Sequence, residues 1–433
     1  MLSRWLHRHR AQSRPVNRGF HFLLAAQFVS GLADNALLLI AIARMSELGH
    51  AAWLLPCLKL VFTIAYVVCA PFVGPFADAL PKGRVMLLAN GMKIAGCLLL
   101  MGGVHPLAAF CVVGLGAAAY SPAKYGLVTE LLPASRLVAA NGWLEVSTVG
   151  AIILGTVAGG ALVSPALLGH AWALAWPVIV DGPRTPLLLS MTAVLLLYAA
   201  ALALNAGIPD SGVRYPPHGD TTHMLRGFRH GLFTLWRDPL ARVSLAVTTL
   251  FWGVGALLQF LVLRWAAEQL GLGLDQAAYL QGVTALGITA GAAAAGRFVP
   301  LRHAALVLPV GVAMGLLMPC LTQVHSLAVA LPLMVAVGAM AGFFVVPMNA
   351  LLQHRGHCLL SAGRSIAVQN FNENLSVLAM LALYAALVAA DVPLHALIWG
   401  LGLAIAALMA AIGVLHHRQR RPAPSSWTAG DHA

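Results

Sequence analysis

The chain has 433 residues, of which 60% are hydrophobic and only 9% charged, with a mean hydropathy of +0.83. A soluble domain carries about 25% charged residues, so this composition excludes one and points to a polytopic, all-α membrane protein. The net charge of +12 leaves nucleic-acid binding open only until the basic residues are located.

The N-terminal stretch MLSRWLHRHRAQSRPVNRGF is basic and precedes an apolar run, as in a signal peptide. The run lasts about 25 residues, too long for an h-region, and it contains Asp34. It therefore reads as an uncleaved first helix. A span needs about 20 mostly apolar residues. Twelve stretches qualify: 20–44, 54–79, 84–103, 105–130, 137–165, 185–207, 240–267, 276–297, 303–323, 326–352, 361–389 and 393–416. Residues 166–184, with two Trp, read either as an interfacial segment or as the start of a displaced sixth span. The expected organisation is a basic cytoplasmic tail (1–19), a six-helix half (20–207), a central cytoplasmic linker (208–239), a second six-helix half (240–416) and a cytoplasmic tail (417–433). Within the linker, HMLRGFRHGLFTLWRD has a basic and an apolar face and predicts a helix on the membrane surface.

The positive-inside rule orients this map. With both termini in the cytoplasm, 20 of the 26 Lys and Arg fall on the cytoplasmic side. Only Arg44 and Arg184 fall outside, and Lys59, Lys93, Lys124 and Arg264 fall within spans. The basic charge thus marks a membrane face able to meet anionic lipid, and nucleic acid is set aside.

The halves echo each other. In 122–145 and 347–373 a Pro closes an apolar segment, a loop comes next and a new helix opens. Arg136 precedes Glu145 by nine residues, and Arg364 precedes Glu373 by nine. With six spans on each side, this supports two parallel repeats, the plan of the major facilitator superfamily. GPFADALPKGR (74–84) resembles that superfamily's loop signature, with two extra residues between Asp78 and Gly83–Arg84. Asp78, Lys82, Arg84, Arg136 and Arg364 form a candidate cytoplasmic gate; a solvated loop turn is the plainer reading.

Charged groups inside spans are costly and are functional candidates by default. Asp34 stands mid-span beside Asn35 and is a candidate for substrate contact or gating, or for a structural ion pair. Lys93 lies deep in span 3 and needs a partner, which favours a structural pair. Lys124 comes after Pro122 and suits either phosphate contact or interfacial snorkelling. Glu145 and Glu373 open spans 5 and 11, where a helix N-terminus favours an anion, so a cap and a gate are both open. Arg264, near the outer end of span 7, suits snorkelling or head-group binding. ILGTVAGGAL (153–162) and GITAGAAAAG (287–296) carry the small-residue spacing of closely packed helices. The six cysteines are scattered small hydrophobes. The sequence shows no Walker loop, nucleophile elbow or HExxH motif, so no enzyme activity, cofactor or metal is expected.

Several of these motifs together resemble the lysophospholipid transporters of Gram-negative bacteria: FVSGLADNALLL, APFVGPFADALPKGRVMLLANGMK, GLGAAAYSPAKYGLVTE, LVAANGWLEVST, GFFVVPMNALLQ and SIAVQNFNEN. The resemblance runs from about residue 20 to 415. It implies import of lyso-phosphatidylethanolamine and lyso-phosphatidylglycerol across the inner membrane, without ATP. It further implies reacylation by an acyltransferase/acyl-carrier-protein synthetase, here a separate chain. Asp34, Asn35, Asp78, Lys82, Gly83, Arg84, Lys93, Lys124, Glu145, Arg242, Asn349 and Glu373 match the family pattern. Two positions depart from it. Gln259 stands where the family has an Arg in span 7, and Arg264, five residues later, is turned about 140° away. Lys59 stands where the family has an uncharged polar residue. A proton-coupled exporter of amphipathic drugs also fits sparse intramembrane charge; a non-transporting scaffold for the acyltransferase is a third reading, against which the paired intramembrane charges and the loop signature argue.

Overall fold

The computed structural model describes residues 2–50, 54–55, 57–171, 187–213, 215, 220–272 and 274–419. In lipid every backbone N–H and C=O must be bonded internally, which leaves helices as the economical solution for an apolar chain. The described residues form fourteen α-helices: α1 (Leu2–Glu47), α2 (Cys57–Ala79), α3 (Lys82–Met101), α4 (Pro106–Leu131), α5 (Leu137–Leu162), α6 (Pro165–Ala171), α7 (Leu188–Ala206), α8 (Thr221–Arg237), α9 (Pro239–Leu270), α10 (Leu274–Phe298), α11 (Leu308–Leu317), α12 (Leu327–Leu359), α13 (Ala362–Ala389) and α14 (Leu394–Gln419). Eleven helical segments are long and apolar enough to cross a membrane. The remaining predicted span corresponds to α10, a 25-residue helix.

Local chemistry sets the ends. Asp238 caps α9 by accepting hydrogen bonds from the Leu240 and Ala241 amides at 3.1 and 2.8 Å, and Pro239 fills the first turn. Gly271, at φ +65°, closes the same helix in the left-handed region that glycine tolerates. The ninth span is not one regular helix. Its α-helical part, α11, is flanked by 3-10 turns over Leu301–Val307 and Met318–Gln323. Pro309 and Pro319 each remove a backbone donor there, which disfavours a continuous α-helical ladder. Residues 166–171 belong to α6; the rest of the 166–184 segment, Arg184, and residues 420–433 of the tail lie outside the described residues.

The helices pack as two compact units. The first comprises Met1–Leu132, Ser147–Arg229 and Leu360–Phe371; the second comprises Pro133–Val146, His230–Leu359 and Asn372–Ala433. Each unit therefore holds one helix start from the other half of the sequence. Those two exchanged segments overlap the stretches that echo each other.

The core of the first unit joins Leu37, Ile40 and Met45 of α1 to Leu100 of α3, Phe110 of α4 and Tyr198 of α7. Gly155 and Gly159 of α5 lie against the Leu32 carbonyl and Ala36 of α1, where a Cβ would come within 2.5 and 2.9 Å. The core of the second unit centres on Trp265, which is buried and donates its indole N–H to the Leu321 carbonyl at 2.9 Å. In the same unit α10 and α12 interlock through glycine. A Cβ on Gly287 or Gly291 would collide with the Val335 or Ala339 carbonyl of α12, and one on Gly338 or Gly342 with the Thr284 or Ile288 carbonyl of α10.

Candidate functional site

Asp34 finds its cation in the first unit. α1 presents Ser30 and Asp34 one turn apart, and α3 presents Asn90 and Lys93 three residues apart, so each pair shares a helix face. Lys93 Nζ lies 2.7 Å from Asp34 Oδ2 and donates to Ser30 Oγ at 2.9 Å. Ser30 in turn donates to Asn90 Oδ1 at 2.9 Å. Tyr198 of α7 donates its hydroxyl to the other Asp34 oxygen at 2.8 Å. Lys93 Nζ also stands 5.2 Å from the centre of the Tyr120 ring. The pair is asymmetric: the Lys93 side chain is 3% exposed and that of Asp34 19%. The carboxylate is the reachable partner, and the ammonium is held behind it. Asn35 is not part of this cluster, because its amide turns back to the Gly31 carbonyl at 2.8 Å.

Lys124 and its neighbours form a second polar group in the first unit. Lys124 Nζ donates to Gln27 Oε1 at 3.2 Å and stands 4.2 Å from the Tyr125 ring centre. Gln27 donates to Ser147 Oγ at 2.7 Å. Ser121, three residues before Lys124, accepts at 2.9 Å from the Asn370 amide near the start of α13.

A third cluster closes the end of the first unit that carries the α2–α3 turn. Asp78 and Lys82 pair at 2.6 Å, and both are buried. Lys82 also donates to the Ala77 carbonyl at 2.8 Å and lies 3.5 Å from Glu130. The Asp78 carboxylate accepts from the Ser361 hydroxyl and, at 3.0 Å, from the Gly363 amide at the start of α13. A carboxylate at a helix start meets both free N–H groups and the positive end of the dipole. The approach is tight: a Cβ on Gly363 would come within 2.7 Å of Asp78 Oδ1 and of the Gly74 carbonyl. Ser211 donates to Glu130 at 2.6 Å, and Lys82 sits 4.9 Å from the Tyr215 ring centre. Burial, and then the Glu130 charge, push the Tyr215 phenol far above its usual range, so it stays a neutral cover over Lys82. Of the candidate gate residues, Asp78 and Lys82 are brought together here. Arg364 adjoins the cluster in sequence and lies against Gly227, while Arg84 and Arg136 are exposed. Glu130, Ser211, Tyr215 and Ser361 do not stand out from the sequence alone.

The second unit holds the remaining candidates. Glu145, Asn349 and Glu373 are buried. Asn141 at the start of α5 and Gln353 of α12 form a reciprocal amide pair, with both hydrogen bonds at 2.8 Å. Replacing Gln353 alone with Leu should cost about 1–3 kcal/mol, because it leaves the buried Asn141 side-chain oxygen without its donor, although the Asn141 amide still donates to the Leu137 carbonyl. Replacing both Asn141 and Gln353 with Leu should recover most of that loss in thermal unfolding of the purified protein. Arg355 binds Asp238 at 2.6 Å. Arg264 pairs with Glu268 at 2.6 Å on its own helix, with side chains 28% and 47% exposed. It does not line an apolar cavity of about 360 Å³ in this unit. That cavity is walled by residues such as Phe251, Leu258, Met318, Met334 and Phe344, with Gln259 and Gln281 among its few polar groups. Its volume falls in the range of small-molecule pockets. Lys59 is exposed near the start of α2.

Residues 23–380 match the model of the Major Facilitator Superfamily. The chain is 40% identical over 408 residues to the "Lysophospholipid transporter LplT" of Citrobacter koseri, covering 93% of this chain and 97% of that protein. It is 42% identical over 388 residues to the protein of the same name from Yersinia enterocolitica, covering 88% and 90%. Among solved structures, the human organic anion transporter MFSD10 (TETRAN) aligns with a TM-score of 0.70 at 17% identity, covering 93% of this chain and 99% of that one. The transporter FucP in its outward conformation aligns with a TM-score of 0.68 at 16% identity, covering 94% and 100%. A bundle of membrane-length helices with this loop cluster, matched along nearly its whole length by such relatives, places the chain in the lysophospholipid transporter family of the major facilitator superfamily.

Proposed function

We propose that this protein carries lysophospholipids, lyso-phosphatidylethanolamine and lyso-phosphatidylglycerol, across the bacterial inner membrane to the cytoplasmic leaflet. Transport proceeds by alternating access without ATP, and a separate acyltransferase/acyl-carrier-protein synthetase then consumes the product. The observation that carries this reading is the Asp34–Lys93 pair, with its reachable carboxylate and buried ammonium.

An ion pair away from water is stable only while both charges are compensated. An ethanolamine head group brings an ammonium and a phosphate, the same two charges in opposite sense. Its ammonium replaces Lys93 at Asp34, and its phosphate takes the released Lys93. No net charge is left bare at any stage, so the exchange avoids the desolvation penalty that a single ion would meet. A glycerol head group brings only the phosphate, so it shares Lys93 with Asp34 and does not displace it, while Tyr198 continues to donate to Asp34. In this reading the basic loops and both termini face the cytoplasm, and the Asp78–Lys82 cluster with Ser361 and Gly363 is the cytoplasmic gate in its bonded state.

The test is uptake of labelled lyso-phosphatidylethanolamine into spheroplasts lacking their own carrier, with and without an uncoupler. Uptake that needs this protein and survives the uncoupler is expected. No uptake would reject the substrate assignment. Uptake lost entirely with the uncoupler would favour a proton-coupled carrier.

A further inference from the structure

α8 shows a face that the proposed transport leaves unassigned. Its residues 221–237 contain three arginines and two histidines and no carboxylate. At about 100° per residue, the exposed residues Leu225, Arg226, Arg229, His230, Phe233 and Arg237 fall on one side of the helix. Leu225 is 46% exposed and Phe233 53%, so two large apolar side chains stand among the cations. The Arg237 guanidinium lies 5.9 Å from the Phe233 ring centre, placing charge and apolar surface side by side.

The other side of α8 is fixed to α13. The Phe228 ring meets Phe371 edge-on at 5.2 Å, and Trp236, at the margin of the exposed arc, donates its indole N–H to Asn372 at 3.2 Å. Gly231 and Leu235 are buried. The exposed side is therefore a rigid platform. The neighbouring span holds it near the bilayer. Asp238 caps α9 directly after α8, and α9 has 32 residues, about 48 Å of helix against a hydrocarbon core of about 30 Å. With α9 crossing that core, the junction lies within the roughly 18 Å by which the helix exceeds it.

We propose that this face of α8 is a docking surface for the anionic phospholipid head groups of the surrounding leaflet. Arg226, Arg229 and Arg237 supply the charge, and Leu225 and Phe233 enter the acyl boundary. Charge complementarity selects the lipid, because a cationic face without one acid is attracted to an anionic membrane surface. The exposed Leu and Phe require an apolar phase beside the charge, which a bilayer interface offers in one layer. The inference rests on the membrane-spanning fold and is independent of the transported substrate.

The experiment uses the full chain in nanodiscs, carrying Phe233→Cys labelled with a fluorophore after replacement of the six native cysteines. Quenching by doxyl-labelled phosphatidylglycerol is compared with quenching by doxyl-labelled phosphatidylcholine. Preferential quenching by phosphatidylglycerol is expected, weakening with added salt as screening shortens to a few ångströms. The preference should fall about fivefold for each arginine changed to Gln at positions 226, 229 and 237. Equal quenching by the two lipids, or a preference insensitive to both salt and the arginine changes, would overturn the proposal. So would absence of quenching by either lipid, the result expected if the face instead meets an acidic protein. The salt series on the otherwise unchanged chain keeps the test valid should a triple variant fold poorly.

Discussion

Lys93→Met is expected to be among the most damaging single substitutions in the first unit, costing about 3 kcal/mol or somewhat more in stability. It removes the cation that compensates Asp34 and leaves a carboxylate with only Tyr198 as an observed donor. Methionine keeps an unbranched apolar stem of similar length, so lost packing contributes little. The double variant Asp34→Asn/Lys93→Met should regain most of the stability, since a neutral amide still accepts from Tyr198. Transport should remain lost in both. Thermal unfolding in detergent separates the two effects. A Lys93→Met protein as stable as the parent would mean that water, not Lys93, compensates Asp34.

The second large effect concerns the glycine interlock of α10 and α12. Gly291→Ala adds one methyl, but that methyl falls on the Ala339 backbone carbonyl, which cannot rotate away. Overpacking a core commonly costs about 1–3 kcal/mol and more when backbone must move. Two glycines on each helix (Gly287 and Gly291 on α10, Gly338 and Gly342 on α12) meet the backbone of the other, so shifting one contact disturbs the others. Gly291→Ala is therefore expected to lose most folded protein on solubilisation. Gly160→Ala of α5 is the control: nothing lies within 4 Å of its Cβ, and Ala is the better helix former. It should be neutral or slightly stabilising. Equal folded yields from the two variants would show that α10 and α12 can separate without cost.

Much of this architecture is legible in the sequence, and the limits have physical causes. Span positions are readable because a bilayer demands long apolar runs, and the small-residue spacing at 287–296 announces close packing. The partner of that packing, Gly338 and Gly342, is not readable, since local spacing carries no address for a helix some fifty residues away. The same limit applies to Asp34. Both members of its pair stand out as intramembrane charges, yet nothing local links residue 34 to residue 93. Arg264 is the opposite case. Glu268 stands four residues on, the spacing of a helical ion pair, so its exposed pairing carries a local signal. Asp78 and Lys82 have that same spacing. Glu130, Ser361 and the Asn141–Gln353 pair join distant segments, and polar residues at single positions leave no periodic trace. Apolarity alone suggests a plain ninth helix; Pro309 and Pro319 are the local signal for the irregular one observed.

In the proposed mechanism Asp34 receives the head group while Lys93 waits behind it. This is tested most directly by uptake of labelled lyso-phosphatidylethanolamine and lyso-phosphatidylglycerol in proteoliposomes containing Asp34→Ala, at matched folded protein. Uptake of the ethanolamine lipid should fall at least tenfold, about 1.4 kcal/mol or more of lost interaction, with the glycerol lipid less affected. Parent-like uptake of the ethanolamine lipid by a well-folded Asp34→Ala protein would contradict it.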